Sequence, residues 1–177
     1  EAGGGGVSLL VGRHVAYLEG STRRPRELPP LHVSFRGLVE ALAVDDLLVV
    51  FQVLLLEGQL LFRSESFERL TLAAEAACQL MYPLEWSNVY VPIVPTALVD
   101  YLDSPTPFIM GLNARIAWDP VTAPDVTIVD LDRGAVAVPA SSPLPPLPPP
   151  LAADLRGRLQ GLAGAAAKGS AGEWAAN

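Results

Sequence analysis

Residues 82–111 hold five prolines in thirty residues, more than a regular helix or strand can accept. The same stretch is rich in aromatic and branched apolar side chains, which a disordered proline-rich tract lacks. The pattern therefore predicts several short elements packed in a core, each ended by a proline. The prolines are Pro83, Pro92, Pro95, Pro105 and Pro107.

The chain before this stretch predicts helices and strands in alternation. Phe35–Ala43 carries a helical apolar stripe, which Asp45 and Asp46 are expected to break. The continuous apolar run Leu47–Leu55, a turn at Gly58 and the run Leu60–Arg63 predict two neighbouring strands. Apolar residues at helical spacing predict a helix over residues 66–81, with Ser64 or Ser66 as the N-cap.

The proline-rich stretch and the residues after it continue this alternation. Thr96–Leu102 predicts a two-turn helix with Leu98, Tyr101 and Leu102 directed inward. Asp132-Arg133-Gly134 predicts a turn between the last two strands. Strands alternating with helices indicate an α/β fold with a mostly parallel central sheet flanked by helices. The further predicted strands are Val89–Ile93, Phe108–Leu112, Val126–Leu131 and Ala135–Val138.

The two ends of the chain differ from its middle. Residues 1–6 form a glycine-rich lead without the basic and apolar regions of a signal peptide. Val7–Leu18 could be a strand pair or the end of a preceding domain, and Gly20–Pro30 predicts a linker. Pro139–Pro150 predicts a polyproline II segment, interpreted as a stiff spacer rather than an SH3 ligand because Arg156 is too distant to flank it. Residues 151–162 predict a helix, and residues 163–177 a frayed Ala/Gly tail.

The charge of the chain argues against several classes of partner. The net charge is −7, and Lys168 is the only lysine among scattered arginines. A nucleic-acid surface or a polybasic membrane patch needs clustered cations, so neither is expected. No apolar run is long enough for a membrane span. Cys78 is the single cysteine, and the lack of a possible internal disulfide mildly favours a reducing compartment. Cys78 is interpreted as a small buried residue.

No recognised catalytic or cofactor motif is present in the sequence. It has no zinc-type His/Cys spacing, nucleophile elbow or dinucleotide glycine motif, so no metal and no cofactor are predicted. Asp130 and Asp132 could share one face of a strand and hold a cation, but a turn at Gly134 explains them better. Asp100 and Asp103 lie three apart on a polar helix face, in an acidic region suited to a basic partner.

Taken in order, these motifs resemble the central module of DENN domains, over about residues 31–162. The matching segments are Leu55–Glu57, Leu61–Ser64, Tyr82–Trp86, Tyr90–Pro95, Leu98–Leu102, Pro105–Gly111, Val129–Gly134 and Pro145–Pro148. The five prolines, Gly111, Asp130 and Asp132 are interpreted as structural positions of this motif.

The resemblance implies an α/β central lobe and guanine-nucleotide exchange on a Rab-type small GTPase in vesicle or endosomal trafficking. It also implies a cytoplasmic protein, peripheral to membranes, with adaptor proteins as further partners. The implied organisation is an N-terminal remnant and linker (1–30), the central lobe (31–139), a polyproline linker (140–150), and the start of a downstream region (151–177). An exchange factor makes and breaks no covalent bond, so no enzyme chemistry is expected.

Four residues are candidates for contact with the GTPase. Trp86 and Tyr90 are amphipathic aromatics near chain corners, although core packing with a satisfied polar tip is the simpler explanation. Asp100 and Asp103 are the acidic candidates. Two alternatives stay open: a GTPase- or adaptor-binding module without exchange activity, and an enzyme with a polar pocket near Asp130 and Gly111 at the carboxyl ends of the strands.

Overall fold

The computed structural model describes the backbone of residues 6–11, 14–19 and 35–169, and the side chains of residue 35 and residues 37–161. The chain divides into two compact units, residues 1–32 and 33–177. In the first unit, β1 (Gly6–Val11) pairs antiparallel with β2 (His14–Glu19), which confirms the strand pair expected there. The predicted linker Gly20–Pro30 and His32 lie outside the described residues.

The second unit is built on a five-stranded, mostly parallel sheet with flanking helices, so the predicted α/β fold is confirmed. In chain order it contains α1 (Arg36–Ala41), α2 (Val44–Leu55), β3 (Gln59–Ser64), α3 (Phe67–Leu80), β4 (Val89–Val91), a first 3-10 helix (Thr96–Asp103), β5 (Phe108–Asn113), a second 3-10 helix (Pro120–Thr122), β6 (Thr127–Asp130), β7 (Ala135–Ala137) and α4 (Pro149–Gly169). The strand order is β4-β5-β3-β6-β7, and only β7 is antiparallel to its neighbour.

Both faces of the sheet are buried, because neighbouring residues of a strand point to opposite sides. Leu60 and Phe62 of β3 pack toward α1, α2 and α3. Leu61, between them, belongs to a second cluster on the other face, together with Leu102 of the first 3-10 helix and Ala123 just after the second. The three α-helices therefore cover one face, and the shorter 3-10 elements cover the other.

The prediction of a strand at Leu47–Leu55 is wrong, because these residues belong to the helix α2. Periodicity cannot separate a buried strand from a buried helix in a short, continuous apolar run. Here Asp45 and Asp46 do not break a helix but occupy the first turn of α2, where a carboxylate interacts favourably with the helix dipole. The turn expected near Gly58 is present, with Glu57 at φ 51°.

Most other predicted elements agree with the structure within a few residues. The frayed tail predicted for residues 163–177 is wrong as far as Gly169, because α4 continues to that residue, and residues 170–177 lie outside the described residues. Ser66 caps α3 by accepting a hydrogen bond from the backbone N–H of Arg69, at 3.3 Å. The prolines of the central stretch lie at the ends of elements, and the Tyr82–Pro83 peptide bond is cis. Within the described residues, no helix combines the length and apolar character needed to cross a bilayer.

Gly111 fixes how the chain turns back after β4. A Cβ atom at Gly111 would lie 2.1 Å from the carbonyl oxygen of Pro92 and 3.3 Å from Cβ of Leu70. The backbone N–H of Val94 also donates to the carbonyl oxygen of Gly111, at 2.7 Å. The segment after β4 therefore lies directly on the backbone of β5, and glycine is the residue that permits this approach.

Candidate functional site

An apolar groove lies at the edge of the sheet where β4 pairs, among the described residues, with β5 alone. This groove, termed the β4-edge groove, has a volume of about 320 Å³ and is lined by Val89, Val91, Val94, Leu98, Tyr101 and Met110. Tyr101 is 63% exposed and Leu98 is 43% exposed, although both are large apolar side chains. Exposed apolar side chains that adjoin one another in a concave surface are typical of protein interaction sites.

The prediction that Leu98 and Tyr101 are directed inward is wrong, and the helix type explains why. Thr96–Asp103 consists of two short 3-10 helices that meet at a kink at Leu98, where φ is −115° and ψ is 15°; within a 3-10 helix, residues three apart lie on one ridge. Leu102 is fully buried, and Val99, on the same ridge, packs against the same core cluster. Leu98 at the kink and Tyr101 after it line the groove instead.

The acidic candidates lie on the third ridge of the same 3-10 helix. Asp100 and Asp103 are both exposed. A carboxylate oxygen of Asp103 accepts a hydrogen bond from the hydroxyl of Thr122 at 2.9 Å, which ties this helix to the second 3-10 helix. The β4-edge groove therefore has an acidic ridge next to its exposed tyrosine.

The aromatic candidates lie on the opposite face of the sheet. Trp86 is partly buried, and its indole N–H donates to the carbonyl oxygen of Val89 at 3.1 Å. Tyr90 also packs against the helix-covered core, and its hydroxyl donates to the carboxylate of Glu75. Burial, followed by the hydrogen bond and charge of Glu75, raises the pKa of Tyr90 above its usual value. The four candidates therefore form two separate groups, and only the aspartates adjoin the groove.

A second, polar cavity lies at the carboxyl ends of the parallel strands. This carboxyl-end crevice has a volume of about 430 Å³ and is lined by Arg63, Glu65, Ala114, Pro120, Ile128, Asp130, Asp132 and Arg133. The crossovers that follow the adjacent strands β3 and β5 leave toward opposite faces of the sheet, which opens a crevice between them. Gly111 does not line it.

The aspartates of this crevice stabilise loops. One oxygen of Asp130 accepts the backbone N–H groups of Asp132 at 3.1 Å and Arg133 at 2.9 Å, as expected for a turn ending at Gly134. Gly134 has a φ of 64°, a conformation that glycine adopts without strain. No group of His, Cys, Asp or Glu among the described residues could hold a metal ion.

Asp132 joins three parts of the chain. Its carboxylate accepts hydrogen bonds from the hydroxyl of Ser64 at 2.8 Å, the backbone N–H of Glu65 at 2.7 Å and the guanidinium of Arg69 at 2.8 Å. The bond from Glu65 is the main reason that the pKa of Asp132 is lowered. A carboxylate held ionised in this way is a poor general acid or base near neutral pH. A polar crevice is thus present at Asp130, and the described residues that line it include no nucleophile–base pair.

Comparison with known proteins identifies the family. The family model of the DENN (AEX-3) domain matches residues 8–134. This chain belongs to the DENN domain family. The match begins within β1, earlier than the resemblance read from the motifs, and ends at Gly134, before the polyproline segment.

Curated DENN relatives match half or more of the chain. The DENN domain and WD repeat-containing protein SCD1 of Arabidopsis thaliana is 37% identical over 129 residues, covering 73% of this chain and 11% of the relative. Human DENN domain-containing protein 2D is 31% identical over 137 residues, covering 76% of this chain and 29% of the relative. Mouse DENN domain-containing protein 2A is 38% identical over 89 residues. The chain thus spans less than a third of the length of these relatives.

The β4-edge groove was missed by the sequence reasoning. The available signal was the short segment between Pro95 and Pro105, because prolines confine a helix to few residues and 3-10 helices occur as short pieces. Applying a period of three instead of 3.6 places Val99 and Leu102 on one ridge and Tyr101 on another. The exposure of Val89 depends on β4 being an edge strand, which no local pattern reveals.

Proposed function

We propose that this DENN chain binds a Rab-type small GTPase and acts in guanine-nucleotide exchange, in a cytoplasmic protein that works at vesicle or endosomal membranes. Membership of the DENN family is the observation that carries the proposal, since this family is generally linked to Rab exchange activity. An exchange factor binds the nucleotide-free GTPase more tightly than the nucleotide-bound form, and by linkage this weakens nucleotide binding. Such a role needs a shaped surface and no reacting groups.

The β4-edge groove is the surface of this chain that best suits a protein partner. Tyrosine is enriched among the residues that dominate the binding energy at interfaces. Tyr101 is exposed and lines the groove together with Leu98. Asp100 and Asp103 add negative charge next to it. A partner that fits this surface presents apolar side chains flanked by lysine or arginine, and the opposite charges would accelerate association.

Two measurements on a panel of Rab GTPases test the proposal. The first is pull-down of each GTPase in its nucleotide-free and GDP-bound forms, where preference for the nucleotide-free form is expected. The second is the rate of release of fluorescent GDP, using this chain alone and a longer protein that also carries an upstream DENN lobe. Binding without faster release from either protein would instead establish the GTPase-binding alternative. The absence of any binding by folded protein would refute the proposal.

Substitutions then locate the contact surface. Tyr101→Ala is expected to weaken binding of a responsive GTPase by about tenfold or more, as for a central interface aromatic. Phe67→Ala is the matched control, because Phe67 is also an exposed aromatic, at 54%, but does not line the groove. If the two variants bind the GTPase with equal affinity, the contact lies elsewhere on the chain. That result would not contradict the proposal of exchange activity.

A further inference from the structure

The segment between β7 and α4 has a backbone restricted by its prolines. Residues 143–148, termed the proline segment, read Pro-Leu-Pro-Pro-Leu-Pro and contain no helix, strand or turn. Proline fixes its own φ near −65°, and each residue before a proline is kept in the extended region. These restrictions favour a short polyproline II helix, which has about three residues per turn and spans about 19 Å over this length.

This helix has three ridges, and they face different surroundings. Leu144 and Leu147 lie three apart on one ridge, and both are partly buried. Pro143 and Pro146 form the second ridge, Pro145 and Pro148 the third, and all four prolines are exposed. The leucine ridge thus faces the protein, while two adjacent proline ridges face solvent.

Several contacts hold the proline segment in this orientation. Leu144 packs against the helix-covered core. The side-chain amide of Gln52, on α2, donates to the carbonyl oxygen of Pro145 at 3.1 Å. Farther along the chain, the guanidinium of Arg156 on α4 pairs with Asp45 of α2 at 2.7 Å. The segment therefore lies on α2.

We propose that the proline segment is a binding site for a WW-type domain, whose aromatic groove reads the two exposed proline ridges. Domains that recognise polyproline II helices dock prolines into aromatic-lined grooves and benefit from a ligand that is already ordered. Holding the segment on α2 supplies this order before binding, which lowers the entropic cost of association.

The charges around the segment favour a WW-type domain over an SH3 domain. SH3 domains add an acidic pocket that takes a lysine or arginine next to the prolines. Residues 134–155 contain no lysine or arginine, and Arg156 is held by Asp45. The recognition offered here is therefore apolar, through proline rings and backbone carbonyls. This inference does not depend on the GTPase proposal, which uses a different surface.

The test is calorimetric titration of the full chain with a WW domain that binds proline-rich peptides lacking a basic flank. Pro146→Ala and Pro148→Ala, one on each exposed ridge, are each expected to weaken binding by about tenfold. Ser142→Ala is the control and is expected to leave the affinity unchanged within about twofold. Thermal melting of each variant by circular dichroism establishes that the chain is folded.

A free peptide of residues 141–151 and an SH3 domain complete the experiment. The chain is expected to bind the WW domain at least as tightly as the peptide does, because the segment is already ordered and exposed. Binding of the peptide with none by the folded chain would show that the segment is masked, and would overturn the proposal. Three other results would also overturn the proposal. The first is WW-domain binding that neither proline substitution weakens, and the second is no binding of the WW domain by the chain or by the peptide. The third is equal affinity of the chain for an SH3 domain that requires a flanking arginine.

Discussion

Gly111→Ala tests the contact between the segment after β4 and the backbone of β5. The new methyl group would lie 2.1 Å from the carbonyl oxygen of Pro92 and 3.0 Å from its carbonyl carbon. Non-bonded heavy atoms pack best at about 3.5–4.0 Å, so one of the two backbone segments must move by more than an ångström.

Neither backbone segment can move without losing other interactions. On one side of Pro92, Val91 pairs with Met110 in the parallel sheet. On the other side, Val94 donates its backbone N–H to Gly111 at 2.7 Å. Inserting a methyl group into a well-packed core typically costs about 1–3 kcal/mol, and a clash with constrained backbone belongs at or above the upper end. We therefore expect Gly111→Ala to cost about 3 kcal/mol or more.

Thermal and urea unfolding of the two purified proteins measure this effect. For a domain of this size, a loss of about 3 kcal/mol lowers the Tm by roughly 6–12 °C. Gly157→Ala is the matched control, because a Cβ at this helical position in α4 meets no atom within 4 Å. That control should be neutral or stabilised by up to about 1 kcal/mol. A Gly111→Ala protein that melts within about 2 °C of the parent would refute the packing argument.

Two further predictions concern titratable groups. Burial, with a smaller contribution from the charge of Glu75, raises the pKa of the Cys78 thiol from the ordinary 9.0 to about 11. Alkylation of Cys78 by iodoacetamide at pH 8 should therefore be about a hundredfold slower in the folded chain than in the chain unfolded in guanidinium. Similar rates in the two states would show that folding does not raise the pKa of this thiol. Asp132→Asn should cost about 1 kcal/mol at pH 7, since the carboxylate accepts three hydrogen bonds from other parts of the chain. Because its pKa is lowered, this stabilisation is present above the usual aspartate pKa and is lost as the pH falls through the folded value. Urea unfolding should show the difference in stability from the parent shrinking as the pH falls below the ordinary aspartate pKa of 3.8, with the exposed Asp125→Asn protein as the control.

The outcome at α2 shows why some elements could not be assigned from the sequence. A run such as Leu47–Leu55 satisfies the apolar pattern of a buried strand and of a buried helix equally well. The choice is made by the neighbours, because β3 already pairs with β5 and β6 on its two edges. A strand at Leu47–Leu55 therefore has no place beside β3, whereas a helix can cover the face of the sheet.

The outcome at the candidate site has a similar cause. Trp86 and Tyr90 were recognisable as amphipathic aromatics, but only the packing of β4 on α3 directs them to the covered face. Tyr101 was assigned to the core because a period of 3.6 was applied to a 3-10 helix. Its exposure in the β4-edge groove depends on helix type and also on strand order, and strand order is not encoded in one short segment.

The sequence by itself determined the features that depend on local chemistry. These include α3 with a serine N-cap at Ser64 or Ser66, of which the structure selects Ser66, the turn at Asp132–Gly134, the α/β class and the proline-ended elements of residues 82–111 that point to the DENN family. The tertiary structure alone decided that β4 is an edge strand and that the carbonyl oxygen of Pro92 lies against the backbone of Gly111. It also decided that the proline segment lies on α2 with its prolines outward. The reason is physical, since caps, turns and proline restrictions act within a few residues. Exposure, by contrast, is set by segments that are distant in the chain and meet only in the folded lobe.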